Sequence, residues 1–210
     1  MMHITLDTPL KFTAPGGVPY AGRTSFRWSL PNGGTPGAWA KPYKSQPILC
    51  ERGYHWCEAR CAIEHLHVEC WLFEPAGVTV RGDDKHVSQG GRLLRRVETW
   101  SERTARLFAA DCAEAVVHLC GDDQRPRQAI EVARRYASGE ATRDELDAAR
   151  DAARAAAEDA ARAAARAAAW DAAWDAAGDA TWAAAGAAAR AAARAAQTTR
   201  LLQYLNGEVS

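Results

Sequence analysis

The spacing of apolar positions along this chain changes near residue 99. Before it, apolar residues come in short runs. His3-Ile4-Thr5-Leu6, Thr24-Ser25-Phe26-Arg27-Trp28, His67 to Phe73, Val78-Thr79-Val80 and Leu93 to Val97 all have strand character. Pro15-Gly16-Gly17, Pro31-Asn32-Gly33-Gly34, Gly82-Asp83-Asp84 and Gly90-Gly91 read as turns between them. From Pro31 to Pro47, four prolines and three glycines predict an irregular loop, with Trp39 as its only large apolar anchor. One short helical pattern runs from Glu58 to about Leu66.

After residue 99 the pattern is helical. Thr99 and Glu102 have capping-box spacing and open a helix reaching about Cys120, with Leu107, Cys112, Val116 and Leu119 on its apolar side. Gly121-Asp122-Asp123 ends it. Pro126 fits the first turn of a second helix, Gln128 to Ala137, and Gly139 fits its C′ position. Thr142 and Glu145 form a further capping box. Beyond them lies a ladder in which every fourth residue interrupts alanine: Arg150, Arg154, Glu158, Arg162, Arg166, Trp170, Trp174, Gly178, Trp182, Gly186, Arg190 and Arg194. Alanine favours helix strongly. A step of four overshoots a turn by about 40°, so the stripe winds around a straight helix and no face stays apolar throughout. The expectation is therefore two antiparallel helices over residues 142–205, broken near Gly178 with Asp179 as N-cap, and Gly186 as the next candidate break. In such a hairpin the tryptophans are either packed inside or form a face for a partner.

Together these patterns predict an α+β chain. A strand-rich α+β domain over residues 1–98 precedes an alanine-rich helical bundle or hairpin over residues 99–210. At 210 residues the chain can bury a core. Lys+Arg 26 against Asp+Glu 26 leaves no net charge, which argues against an extended nucleic-acid partner. The start has no basic region followed by an apolar run, and the alanine stretches are cut by charges. A cytoplasmic protein with reduced thiols is expected, with no membrane partner.

Two clusters carry candidate chemistry. Cys50 to Cys70 holds four cysteines and three histidines. Cys57, Cys61 and His65 follow at i,i+4 spacing, which on a helix suits a zinc site, although paired C-x2-C knuckles are missing; the alternative is buried core thiols with surface histidines. Asp111, Glu114 and His118 share a helix face. They suit a metal or acid–base work, or else ion pairs with Arg127, Arg134 or Arg135. No phosphate loop, H-E-x-x-H or G-x-S-x-G occurs. The reading leans away from an enzyme and implies no cofactor.

Trp100 to Glu114, with Asp111-Cys112-Ala113-Glu114, then Arg125-Pro126-Arg127-Gln128-Ala129-Ile130-Glu131 and Ser138-Gly139-Glu140, resembles a family of immunity proteins associated with bacterial polymorphic toxins, over about residues 100–160. Cys50-x-x-Gly53-Tyr54-His55-Trp56-Cys57 with Asp84-Lys85 resembles a domain of unknown function met in actinobacterial and phage proteins. The first resemblance implies a non-enzymatic, stoichiometric binder of a toxin, defence protein or nucleotide signal. Arg150, Arg154, Arg162, Arg166, Trp170, Trp174 and Trp182 are then the expected contact residues, and a homodimer is an alternative to a foreign partner. Gly53 to Cys57 followed by a short helix is also similar to an element of ADP-ribosyltransferase-like folds. That similarity implies NAD or nucleotide binding in residues 1–98, with His55 and Tyr54 near the ligand and Glu69, Glu74 or Glu98 as the carboxylate.

Overall fold

The computed structural model describes the backbone of residues 3–19, 25–171 and 179–209, and the side chains of all of these but 163–171 and 179–185. The fold is α+β. The chain forms two compact units. Residues 1–105 together with 198–210 make the first, and residues 106–197 make the second.

In the first unit four antiparallel strands close into a small barrel in the order β1-β2-β4-β3. They are β1 (Pro9–Thr13), β2 (Tyr54–Glu58), β3 (Glu69–Arg81) and β4 (His86–Arg96). Along β1, Leu10, Phe12 and Thr13 are buried, and Lys11, paired with Trp71, carries its ammonium to 6.0 Å from the Trp28 ring. Trp28, Trp56, Trp71, Phe73 and Leu93 form the central cluster, with Phe26, Ala40 and Tyr54 packed against it. Flat rings fill a barrel this narrow with few residues, and edge-to-face pairs such as Trp28–Phe73, 5.5 Å between centroids, add to plain burial.

β3 and β4 are a long hairpin that runs through the two places where Val78–Val80 and Gly90-Gly91 suggest a new strand and a turn. Register shifts near Leu72/Phe73 and Ala76/Thr79 absorb the bend. Gly91 is a glycine because of close approach rather than a turn, since a Cβ there lies 2.2 Å from Phe73 Cζ. The hairpin closes through Gly82 N–H donating to the Lys85 carbonyl. The expected first strand is displaced. Residues 3–6 are not a strand; instead Ile4 is clamped by Asn206, which accepts from the Ile4 N–H at 2.7 Å and donates to its carbonyl at 3.0 Å. Residues 25–28 are also irregular, yet Trp28 is in the core. The 31–47 loop runs beside β4, with Gly37, Ala40 and Tyr43 N–H donating to the carbonyls of Leu93, Gly91 and Gln89. Trp39 anchors nothing there. It is 48 % exposed beneath the Arg92 guanidinium.

The helices are α1 (Glu102–Glu114), α2 (Arg125–Ala137), α3 (Arg143–Asp171) and α4 (Asp179–Asn206). The cap of α1 sits two residues beyond the expected box. Ser101 and Thr104 exchange backbone-to-hydroxyl bonds, while Thr99 Oγ1 donates to the Leu205 carbonyl at 2.6 Å. α1 gives way to a 3-10 turn over Val117–Cys120, so Val116 and Leu119 are left 44 % and 75 % exposed rather than on a packed face. Pro126 lies in the first turn of α2 and Gly139 follows it at φ 77°. Thr142 and Glu145 form the reciprocal box expected of them. α4 continues through Gly186, where the flanking alanines outweigh one poor helix former. The expected break at Gly178 lies outside the described residues. No helix among the described residues is long and apolar enough to cross a membrane.

Candidate functional site

β2 places Tyr54 and His55 on opposite sides of the barrel wall. Tyr54 packs inward against Phe26, Trp28 and Tyr43, its hydroxyl donating to the Lys41 carbonyl. It is partly buried against the core cluster, and burial raises its phenol pKa. His55 lines a small pocket of about 50 Å³ with Leu10, Lys11, Phe12, Trp56, Cys57, His65 and Lys85. The segment before β2 sets the ring. Cys50 adopts a left-handed conformation, φ 61°, and its N–H donates to His55 Nε2 at 2.9 Å. Gly53, at φ 124°, lets this turn lie against β4, because a Cβ there lies 2.4 Å from Val87 Cγ2.

Lys11 Nζ donates to the His55 carbonyl at 2.6 Å. Burial lowers its pKa from 10.5 to about 8, against a smaller opposing pull from Cys57. His55 is likewise lowered, by burial first and then by Lys11, Lys85 and His65. The sign for stability follows. Above about pH 8 the folded protein holds fewer protons at Lys11 than the unfolded chain, so stability rises with pH there. Cys57 and Cys70, both raised by burial, keep their protons longer when folded and reverse the trend above about pH 9. Urea midpoints across pH 7 to 11 should therefore rise, peak near the thiol range and fall, and Lys11→Met should remove the rise alone. A monotonic fall in the parent protein contradicts this assignment.

The zinc spacing does not survive folding. The helix expected over residues 58–66 is a 3-10 turn, Ala59–Glu64, and Cys57 precedes it in β2. Cys57 is buried, its thiol donating to the Leu10 carbonyl at 3.8 Å and pushed up to about 12 by burial. Cys61 contacts the Asp83 carbonyl, and His65 Nε2 donates to the Asp84 carbonyl at 3.0 Å. Among the described residues no group of three or more His, Cys, Asp or Glu is arranged to hold a metal ion. Alkylation followed by mass spectrometry should label the exposed Cys50 and Cys120 in the native protein, and Cys57 and Cys70 only after denaturation. Native labelling of Cys57 at a comparable rate would refute its burial.

The carboxylates weighed as partners for His55 do not line its pocket. Glu69 is buried and accepts from Thr13 Oγ1 and the Gly16 and Gly17 N–H groups. Glu74 accepts from Arg92 Nε at 2.7 Å, and Glu98 is exposed near Arg96.

In the helical unit Arg134 bridges α2 to α1. Its Nη2 donates to Asp111 Oδ1 at 2.7 Å and Glu114 Oε2 at 2.6 Å. The guanidinium holds the Glu114 carboxyl below its ordinary range. This takes up the acidic pair as a structural clamp, and His118 is apart from it in the exposed 3-10 turn. Ladder residues Arg150, Arg154 and Arg162 sit in ion pairs along α3, with Asp147, Glu158 and Asp159 respectively. Arg166, Trp170, Trp174 and Trp182 lie outside the described side chains.

What the sequence did not single out is a groove of about 390 Å³ in this unit. α1, the 3-10 turn, α2 and α3 line it, with Ala109, Ala113, Ala129, Ala133 and Ala153 making it shallow-walled and Val116, Val117, Ile130 and Leu146 making it apolar. Arg106 and Arg150 supply its cations. Arg106 also stacks on Tyr136 at 4.9 Å. The alanine spacing of α1 and α2 was a signal for this groove, whereas Lys11 and Lys85 had none, because β1 and the hairpin turn had to be placed first. No protein-family model matches this chain, and no curated protein or solved structure is significantly similar to it.

Proposed function

We propose that the protein acts by stoichiometric binding of another protein, as an immunity or counter-defence component of bacterial or phage conflict, with the groove of the helical unit as its receptor surface. The open apolar groove carries this reading. An alanine-lined groove, with Val116 and Leu119 exposed at the turn that flanks it, suits one apolar helix face of a partner. Arg106 and Arg150 favour a partner helix with carboxylates beside that face. The immunity-like segment, residues 100–160, covers the same elements. Arg154 and Arg162, ion-paired along α3, then belong to the solvated side.

The experiment installs a photo-crosslinker at Ala113 and recovers the adduct from source cells, then rebuilds the complex from purified components. A 1:1 complex is expected. Ala129→Trp, which fills the groove, and Arg150→Glu should each weaken it about tenfold or more, with unchanged circular dichroism. A reconstituted complex indifferent to both substitutions would overturn the groove as receptor, and failure to crosslink any protein would overturn the reading itself.

Nucleotide binding in the barrel unit is the second reading, and the pocket at His55 favours it. Calorimetric titration with NAD, parent against His55→Ala, tests it; a flat parent titration removes it.

A further inference from the structure

We infer that the pocket beside β1 and β2 is an anion site that takes a single phosphate group, as the free ion or as a small phosphate monoester. It is independent of the protein-binding reading, since it uses other residues in the other unit.

Four nitrogen side chains from four segments line the pocket: Lys11 on β1, His55 on β2, His65 after the 3-10 turn and Lys85 at the foot of the β3–β4 turn. Among the described residues no carboxylate lines it. The nearest acidic groups are engaged alongside. Asp84 lies 3.5 Å from His65 Nε2 and 3.9 Å from Lys85 Nζ, and Glu58 is held by Arg60, Arg81 and His86. An ammonium has three N–H donors, and the bond to the His55 carbonyl uses one of those on Lys11. Acceptance of the Cys50 N–H at Nε2 places the neutral His55 proton on Nδ1, making that edge a donor as well.

These groups crowd one another. Lys11, Lys85 and His65 each disfavour protonation of His55, and burial disfavours the charge on Lys11. A dianion relieves both penalties at once, because it replaces lost hydration of the cations and screens their mutual repulsion. Size limits the ligand. About 50 Å³ accommodates a handful of waters or one tetrahedral oxyanion, so any further part of a phosphate ester lies outside the pocket. Backing by Leu10, Phe12 and Trp56 makes the site a dry-floored cup, in which a charged hydrogen bond is stronger than at an open surface.

The test follows the imidazole proton resonances of His55 and His65 while inorganic phosphate or adenosine 5′-monophosphate is added to the full chain. Saturable shifts of both, with the His55 titration moving to higher pH, are expected. Saturation by phosphate alone identifies the free ion, and saturation by the monophosphate identifies the monoester. Lys11→Met and Lys85→Met should each weaken binding about tenfold, while Lys44→Met, on the exposed loop, leaves it unchanged. Lys85 lies on the surface turn, so its variant keeps the test decisive if Lys11→Met loses the fold. Absence of saturable shifts at tens of millimolar of either probe, or equal responses in the Lys85→Met and Lys44→Met proteins, overturns the site.

Discussion

Replacing Trp100 with alanine should lower the thermal midpoint of the chain by roughly 10–20 °C, the equivalent of about 3–5 kcal/mol. Trp100 is fully buried in the first unit. Its ring meets Phe12 edge-on, 6.3 Å between centroids, and its indole N–H donates to the His67 carbonyl at 2.7 Å. Alanine leaves a cavity the size of an indole and strips that carbonyl of its donor. Trp39→Ala is the comparator. Trp39 is half-exposed under Arg92, and an exposed cation–π contact contributes about 0.5–1 kcal/mol. Thermal melts followed by near-ultraviolet dichroism separate the two, and equal midpoints for both variants would contradict the packing described.

Glu69→Leu should cost about 3 kcal/mol, read as a lower urea midpoint at unchanged slope. The Glu69 carboxylate is buried and organises the end of β1. Thr13 Oγ1 donates to it at 3.2 Å while itself accepting from Trp71 Nε1 at 2.9 Å, and the Gly17 N–H donates at 3.3 Å. Leucine keeps the volume and orphans the Thr13 hydroxyl and the Gly17 amide, each a buried polar group without a substitute. The third donor, Gly16 N–H, is at the surface and finds water. Glu69→Gln retains one acceptor and should lose about half as much. A leucine variant as stable as the parent would show that the chain Trp71–Thr13–Glu69 contributes nothing net.

The helical half was legible where local chemistry decides the outcome. Thr142 and Glu145 cap α3 as their spacing implies, Gly139 stops α2, and the Asp111–Glu114 pair finds Arg134, one of the arginines expected for it. The barrel half was legible only as strand-rich. Its register depends on contacts between distant residues, and Gly90-Gly91 shows the difficulty. The same dipeptide that marks a turn also marks a strand against which an aromatic ring must lie flat, and only the position of Phe73 distinguishes them. Cys57, Cys61 and His65 mislead for a related reason. Their i,i+4 spacing has meaning only on an α-helix, and the strand extends through Cys57. The pocket at Lys11 was invisible because its four nitrogens lie on segments that no local pattern joins.

The return of residues 198–210 to the first unit gives the chain an order of events during its own synthesis. Leu201, Tyr204 and Leu205 are buried there, Thr99 holds the Leu205 carbonyl, and Asn206 ties down Ile4. A nascent chain that has emerged to residue 105 therefore has every barrel strand but cannot close the unit. It waits about 5–20 s, at ordinary elongation rates, for another hundred residues. Through that interval the apolar surface that buries Leu201, Tyr204 and Leu205 in the finished unit is uncovered, and the alanine helices, which need only local contacts, form first. The half that is first in sequence is the last to be finished.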